Sequence, residues 1–178
     1  MALPPQHSVK RARSKSKKDK SDGHYHDRIT IALSVCVLVI GVFTTTALNT
    51  ALAFSGCMFC LFCNPDLDMQ GVTKAEGNVY RAFGKVIGVI WQTYWTPYSI
   101  VGHRSFISHT PVISTIVRYI YLIAPATLIL AVLDRYGVIP MSVLDFVLWT
   151  FEYVPIVMIG TMIGDTGHFA RDYFGAEF

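Results

Sequence analysis

The chain has 178 residues, of which 52% are apolar and 15% charged, with a net charge of +3. A soluble domain carries roughly a quarter of its residues as charges, so this composition argues against an ordinary soluble enzyme and for a single membrane-embedded domain. The positive excess lies mostly in the N-terminal tail and characterises that tail, not the folded part.

Residues 1–22 hold Pro4-Pro5 and then Lys10, Arg11, Arg13, Lys15, Lys17, Lys18 and Lys20 among serines. Nothing here can build a core, so a disordered basic cytoplasmic tail is expected, with residues 23–178 forming the membrane-embedded domain. The apolar run that follows is too long for a secretory signal and lacks a small-residue cleavage site. The basic cluster reads first as a topology determinant that holds the N-terminus in the cytoplasm. Anionic lipid or a protein partner could also dock on it; no specific nucleic acid is expected.

Ile29 to Pro65 carries no charge. Its apolar part is too long for one spanning helix of about 20 residues and tight for two. Thr44-Thr45-Thr46 and Asn49 offer a turn, which predicts a hairpin of about residues 28–47 and 50–63 with a short second arm. The stretch 86–98 is rich in Trp and Tyr and reads as an interfacial helix ended by Pro97. Val112–Leu133 and Met141–Ile163 make a second hairpin across the turn Asp134-Arg135-Tyr136-Gly137. The expected architecture is therefore an all-α membrane bundle of about four transmembrane helices, in two hairpins, plus the interfacial helix. Arg118 is expected to snorkel to the surface. Glu152, near mid-run, is expected either to serve function or to face the bundle in a hydrogen bond.

Cys57, Cys60 and Cys63 have a spacing superficially like that of an iron–sulfur motif, but Met58, Phe59, Leu61 and Phe62 stand between them. They read instead as small hydrophobes along one side of a helix.

The chemistry collects at the ends of the apolar runs. His24, His26 and Asp27 precede the first and Asp66 and Asp68 follow the second. His103 and His109 precede the third, and Asp165 and His168 follow the last. With two hairpins all four places lie on one face, and the basic tail makes that face cytoplasmic. Ser108-His109-Thr110-Pro111 has the form of a helix start. Asp165 and His168 are i,i+3 and share a helical face. Asp66 and Asp68 need a turn after Pro65 to aim together. Imidazole with carboxylate suits one or two divalent transition-metal ions, with Zn or Mn foremost. Arg104 and Arg28 beside these ligands suit either a phosphate group on a substrate or, equally, partnership with the carboxylates.

The elements Gly23-His24, Asn64-Pro65-Asp66-Leu67-Asp68, Trp95-x-Pro97-Tyr98 and His103-Arg104-Ser105-x-x-Ser108-His109 resemble an uncharacterised family of metal-binding membrane proteins. That family is in turn distantly similar to the YdjM-like inner-membrane metal-dependent hydrolases. The resemblance spans about residues 23–173 and nominates Asp66, Asp68, His103 and His109 first as metal ligands. His24 or His26, and Asp165 or His168, come second. It implies a metal-dependent hydrolase acting on a phosphoester or similar membrane-proximal substrate, with Arg104 steadying developing negative charge. The competing expectation is a non-enzymatic membrane subunit or assembly factor whose metal staples loops together.

Overall fold

The computed structural model describes residues 6–68, 73–101, 105–139 and 142–174, with side chains from Tyr25 onward except at 101, 108, 109, 171, 172 and 174. Among the described residues six α-helices follow one another: α1 Gln6–Thr44, α2 Ala47–Phe59, α3 Lys74–Trp95, α4 Phe106–His109, α5 Pro111–Arg135 and α6 Val143–Phe174. Two 3₁₀ turns, η1 Pro65–Asp68 and η2 Thr96–Val101, flank α3. No strand occurs among the described residues. The helical backbone of α1 reaches back to Gln6, into the stretch expected to be disordered.

Among the described residues three segments are long and apolar enough to cross a membrane: Tyr25–Thr44 of α1, all of α5, and Val143–Ala170 of α6. Their outward faces carry exposed Val42, Phe43, Ile120, Leu128, Leu148 and Phe151, which water would not tolerate as a continuous surface. The fourth expected span is α2, and it falls short. Its 13 residues give about 20 Å of helix against a hydrocarbon core of about 30 Å. Helix α2 starts where the threonines were expected to turn the chain, because Thr46 accepts a hydrogen bond from the Asn49 backbone N–H at 3.2 Å. It ends at Phe59 because Cys60, Leu61 and Phe62 bond three residues back and tighten the turn.

Helix α2 packs between α1 and α6, and it crosses α6 at close range. A Cβ on Gly160 would lie 1.8 Å from the Ala53 carbonyl oxygen, and one on Gly56 would lie 1.9 Å from that of Val157. Small residues at Ala53, Gly56, Cys57 and Cys60 let the two backbones meet, as in tightly packed membrane helices. Thr161 fastens the contact by donating to the Gly56 carbonyl at 3.0 Å. Cys57, Cys60 and Cys63 are buried free thiols, in keeping with their reading as small hydrophobes: Cys57 meets Thr30 of α1, Cys60 meets Thr161 of α6, and Cys63 lies under Trp95.

Helix α3 opens with a complete capping box: Glu76 N–H donates to Thr73 Oγ1 at 3.2 Å and Thr73 N–H to Glu76 Oε2 at 2.7 Å. Gly84, at φ 83° and ψ 176°, interrupts it, a conformation that only glycine enters cheaply. The second half carries the aromatics expected at an interface. Trp95 packs among Tyr94, Tyr98 and Tyr121, over a core of Cys63, Leu67 and Ala75. Burial pushes the Tyr98 phenol up to about 12.

Two expectations about charges inside the bundle are corrected. Arg118 does not snorkel; it is 1% exposed and pairs with Asp165 of α6. An acid of α6 stands directly opposite and takes the guanidinium inside the bundle. Glu152 does not face the bundle either: it is exposed on the outer side of α6.

Candidate metal centre

At one end of the bundle α1 enters, α2 leaves through η1, α5 begins and α6 ends. The antiparallel pairing of α5 and α6 follows from Thr115 and Arg118 near one start meeting Asp165 near the other end. Three of the sequence-nominated residues meet here. The imidazoles of His26 and His168 stack with centroids 4.0 Å apart and planes 25° from parallel. His168 Nε2 lies 3.4 Å from Asp66 Oδ1. Helices α1 and α6 and the turn η1 thus each deliver one ligand-type side chain to one spot.

Local sequence explains the aim of each. Pro65 opens η1, and Asn64 Oδ1 accepts the Asp66 N–H at 3.2 Å, an Asx turn that fixes the aspartate. In a 3₁₀ turn residues i and i+2 point about 120° apart, so Asp66 and Asp68 do not aim together. Asp66 meets His168, and Asp68 is buried at 2% exposure. Helix α6 continues past Gly164, so Asp165 and His168 do share a face, one turn apart. Their partners differ. His168 meets Asp66, while Asp165 accepts from Arg118 and Thr115 and takes the Cys60 thiol at 3.7 Å. Arg118 also donates to the Cys63 carbonyl and, at 3.3 Å, to that of Ser114.

Asp27, next to His26, ties α1 to α3. Its carboxylate lies 3.5 Å from Lys74 Nζ and takes the Asn78 amide at 3.3 Å. Asn78 also donates to the Leu61 carbonyl at 2.8 Å. The first half of α3 is thereby fixed beside the centre.

His103 and Arg104 lie outside the described residues, and so do the side chains of His24 and His109. The backbone of His109 ends α4, which packs against η1. Thr110 caps α5 and Pro111 takes its first turn, the helix start expected from the sequence. Sequence reasoning missed the roles of Arg118, Thr115, Cys60 and Asn78. The signal for Arg118 was available: a cation inside an apolar run pairs within the bundle by default, and Asp165 is an acid at matching depth.

Among the described residues, no group of three or more His, Cys, Asp or Glu side chains is arranged to hold a metal ion. The described donors are two imidazoles and one carboxylate close together, chemistry that suits a borderline divalent cation. Comparison with curated proteins and with solved structures finds no match, and nothing supports the distant likeness to YdjM-like hydrolases. Residues 21–178 match the family described as uncharacterized metal-binding protein (DUF2227), and the chain belongs to that family.

Proposed function

We propose that this is a membrane protein whose His/Asp centre binds one or two divalent ions, Zn or Mn, at the cytoplasmic end of the bundle, and that it hydrolyses a phosphoester at the membrane surface. The observation that carries the reading is the convergence of His26, Asp66 and His168 from three separate elements. His24, His103, His109 and Asp68 are the further donors proposed on sequence grounds.

A divalent cation, when bound, supplies Lewis acidity toward a phosphoryl oxygen and acidifies water. The chain's own groups do the rest. His26 and His168 present nitrogens, Asp66 an oxygen, and the Asn64 turn holds Asp66 in place. In the hydrolysis the water oxygen bonds to phosphorus, the ester P–O bond breaks, and a water proton passes to the departing alkoxide. Arg104 is the proposed partner of the developing negative charge.

The test is elemental analysis of the detergent-purified full chain beside His26→Ala, His168→Ala and Asp66→Asn, each checked for monodispersity. Stoichiometric metal in the wild type, falling by half or more in the variants, is expected. Metal content that is negligible in the wild type, or unchanged in all three variants, overturns the reading. A metal-loaded protein that cleaves no aryl phosphodiester keeps the metal and loses the hydrolase, leaving a structural site.

A further inference from the structure

Behind His26 and Asp66 stands a polar stripe of α3 that touches the segments carrying both. Lys74, Asn78 and Arg81 follow one another at i, i+4 and i+7 and share a face. The Asn78 amide nitrogen donates to Asp27 Oδ1 of α1 at 3.3 Å and to the Leu61 carbonyl at 2.8 Å. Asp27 directly follows His26, and Leu61 stands five residues before Asp66. One side chain thus joins the segment that carries an imidazole to the segment that carries the carboxylate.

Donor and acceptor chemistry fixes which way this amide points. An arginine only donates, and a carboxylate or carbonyl only accepts. Arg81 donates to Asn78 Oδ1 and, at 3.3 Å, to the Gly77 carbonyl. Both amide hydrogens are therefore left for Asp27 and Leu61. Lys74 Nζ, 3.5 Å from Asp27 Oδ2, holds the other carboxylate oxygen. Beyond Leu61 the path to Asp66 is pinned again: the Cys63 carbonyl accepts from Arg118, and the Asp66 N–H turns onto Asn64. Arg118 ties this segment to α6 through Asp165, whereas Asn78 ties it to α1.

The stripe is braced from behind. Tyr80 donates to Gln92 at 2.9 Å, although twelve residues of straight helix would set them about 18 Å apart. The chain therefore doubles back at Gly84, and the second half of α3 supports the first. The two imidazoles do not depend on this tie, because α1 and α6 meet directly where Gly167 fits against Ile29 and Leu33. What Asn78 governs is the place of the carboxylate relative to them.

We propose that Asn78 is a positioning residue of the metal centre: by holding Asp27 and the Leu61 carbonyl at once it fixes the separation of His26 and Asp66, and with it the affinity for a divalent cation. This rests on the metal-binding reading of that centre and involves no catalytic step. Groups that orient metal ligands in this way typically change affinity about 10–100-fold when removed.

The test is the Zn²⁺ affinity of the detergent-purified full chain, measured by competition with a chromogenic chelator. Asn78→Ala should weaken binding about ten-fold or more, and Arg81→Gln, which frees the amide to turn, about three-fold. In an Asp66→Asn background Asn78→Ala should cost less than about two-fold, since the carboxylate it aims is gone. A merely structural tie would cost as much there as in the wild type. Asn78→Ala within about two-fold of wild type, or equal losses in both backgrounds, overturns the proposal. Should Asn78→Ala fail to fold, Arg81→Gln at its exposed position decides, and unchanged affinity there overturns it. A wild type that binds no Zn²⁺ overturns the metal centre and this role together, whereas bound Zn²⁺ indifferent to Asn78 overturns this role alone.

Discussion

Arg118 and Asp165 are the most consequential pair to perturb, because both sit inside the bundle with neither reaching solvent. Asp165→Asn keeps the shape and removes the countercharge. Arg118 is then left with neutral acceptors only: the Cys63 and Ser114 carbonyls and the Thr115 hydroxyl. Removing one member of a buried pair costs about 3–5 kcal/mol, and the insertion-scale figure of about 2.5–3.5 kcal/mol for arginine at a helix centre is an upper figure for Arg118, which lies nearer the start of α5. The two estimates overlap, and about 3 kcal/mol is the expected loss, roughly a hundred-fold in the folding equilibrium. Arg118→Met with Asp165→Leu removes both charges and should restore most of that loss, since paired replacement by apolar groups is often neutral. Unfolding by SDS in mixed micelles, run as a double-mutant cycle, measures this directly. A single variant costing below about 1 kcal/mol, or a double variant as unstable as the sum of the singles, would refute the view that this pair is the bundle's central electrostatic contact. Metal content in monodisperse Asp165→Asn should equal that of wild type, because the carboxylate is committed to Arg118.

Two further outcomes follow from the helix contacts. Gly160→Ala places a methyl 1.8 Å from the Ala53 carbonyl and must push α2 from α6, costing about 1–3 kcal/mol in the same SDS assay; an unchanged midpoint would contradict the close crossing. At Glu76 burial outweighs the Thr73 hydrogen bonds and raises the carboxyl above its ordinary range. Its favourable protonation is therefore fully present below the unfolded pKa and lost as pH rises through the raised folded value. Glu76→Gln should match or exceed wild type in stability near neutral pH and lose that advantage on acidification, while Glu76→Ala, lacking half the capping box, should cost about 1 kcal/mol. A pH-independent difference between wild type and Glu76→Gln would refute the assignment.

Much of this was legible from where polarity resumes along the chain. That His26, Asp66 and His168 stand at the ends of apolar runs was legible, and the structure joins those three, although α2 is too short to complete the fourth passage that the count assumed. The hairpin turn at Thr46 and the start of α5 at Thr110-Pro111 were equally readable, since capping is a local matter of a few side chains. The fate of Arg118 was not, because snorkelling and internal pairing differ only in which helix stands opposite, a tertiary fact. Asp66 and Asp68 diverge for a similar reason: the choice between extended chain and 3₁₀ turn after Pro65 decides their directions, and both conformations suit the same four residues. Glu152 shows the limit of the rule that acids in apolar runs face inward, for α6 turns that position outward.

The break at Gly84 separates the duties of α3. The piece from Lys74 to Phe83 is bolted to α1 by Asp27 and Asn78, while the piece bearing Trp91 and Trp95 rides with the aromatic layer of α5. The half of α3 tied to the helix that carries His26 is thus a different piece from the half held by the aromatic rings.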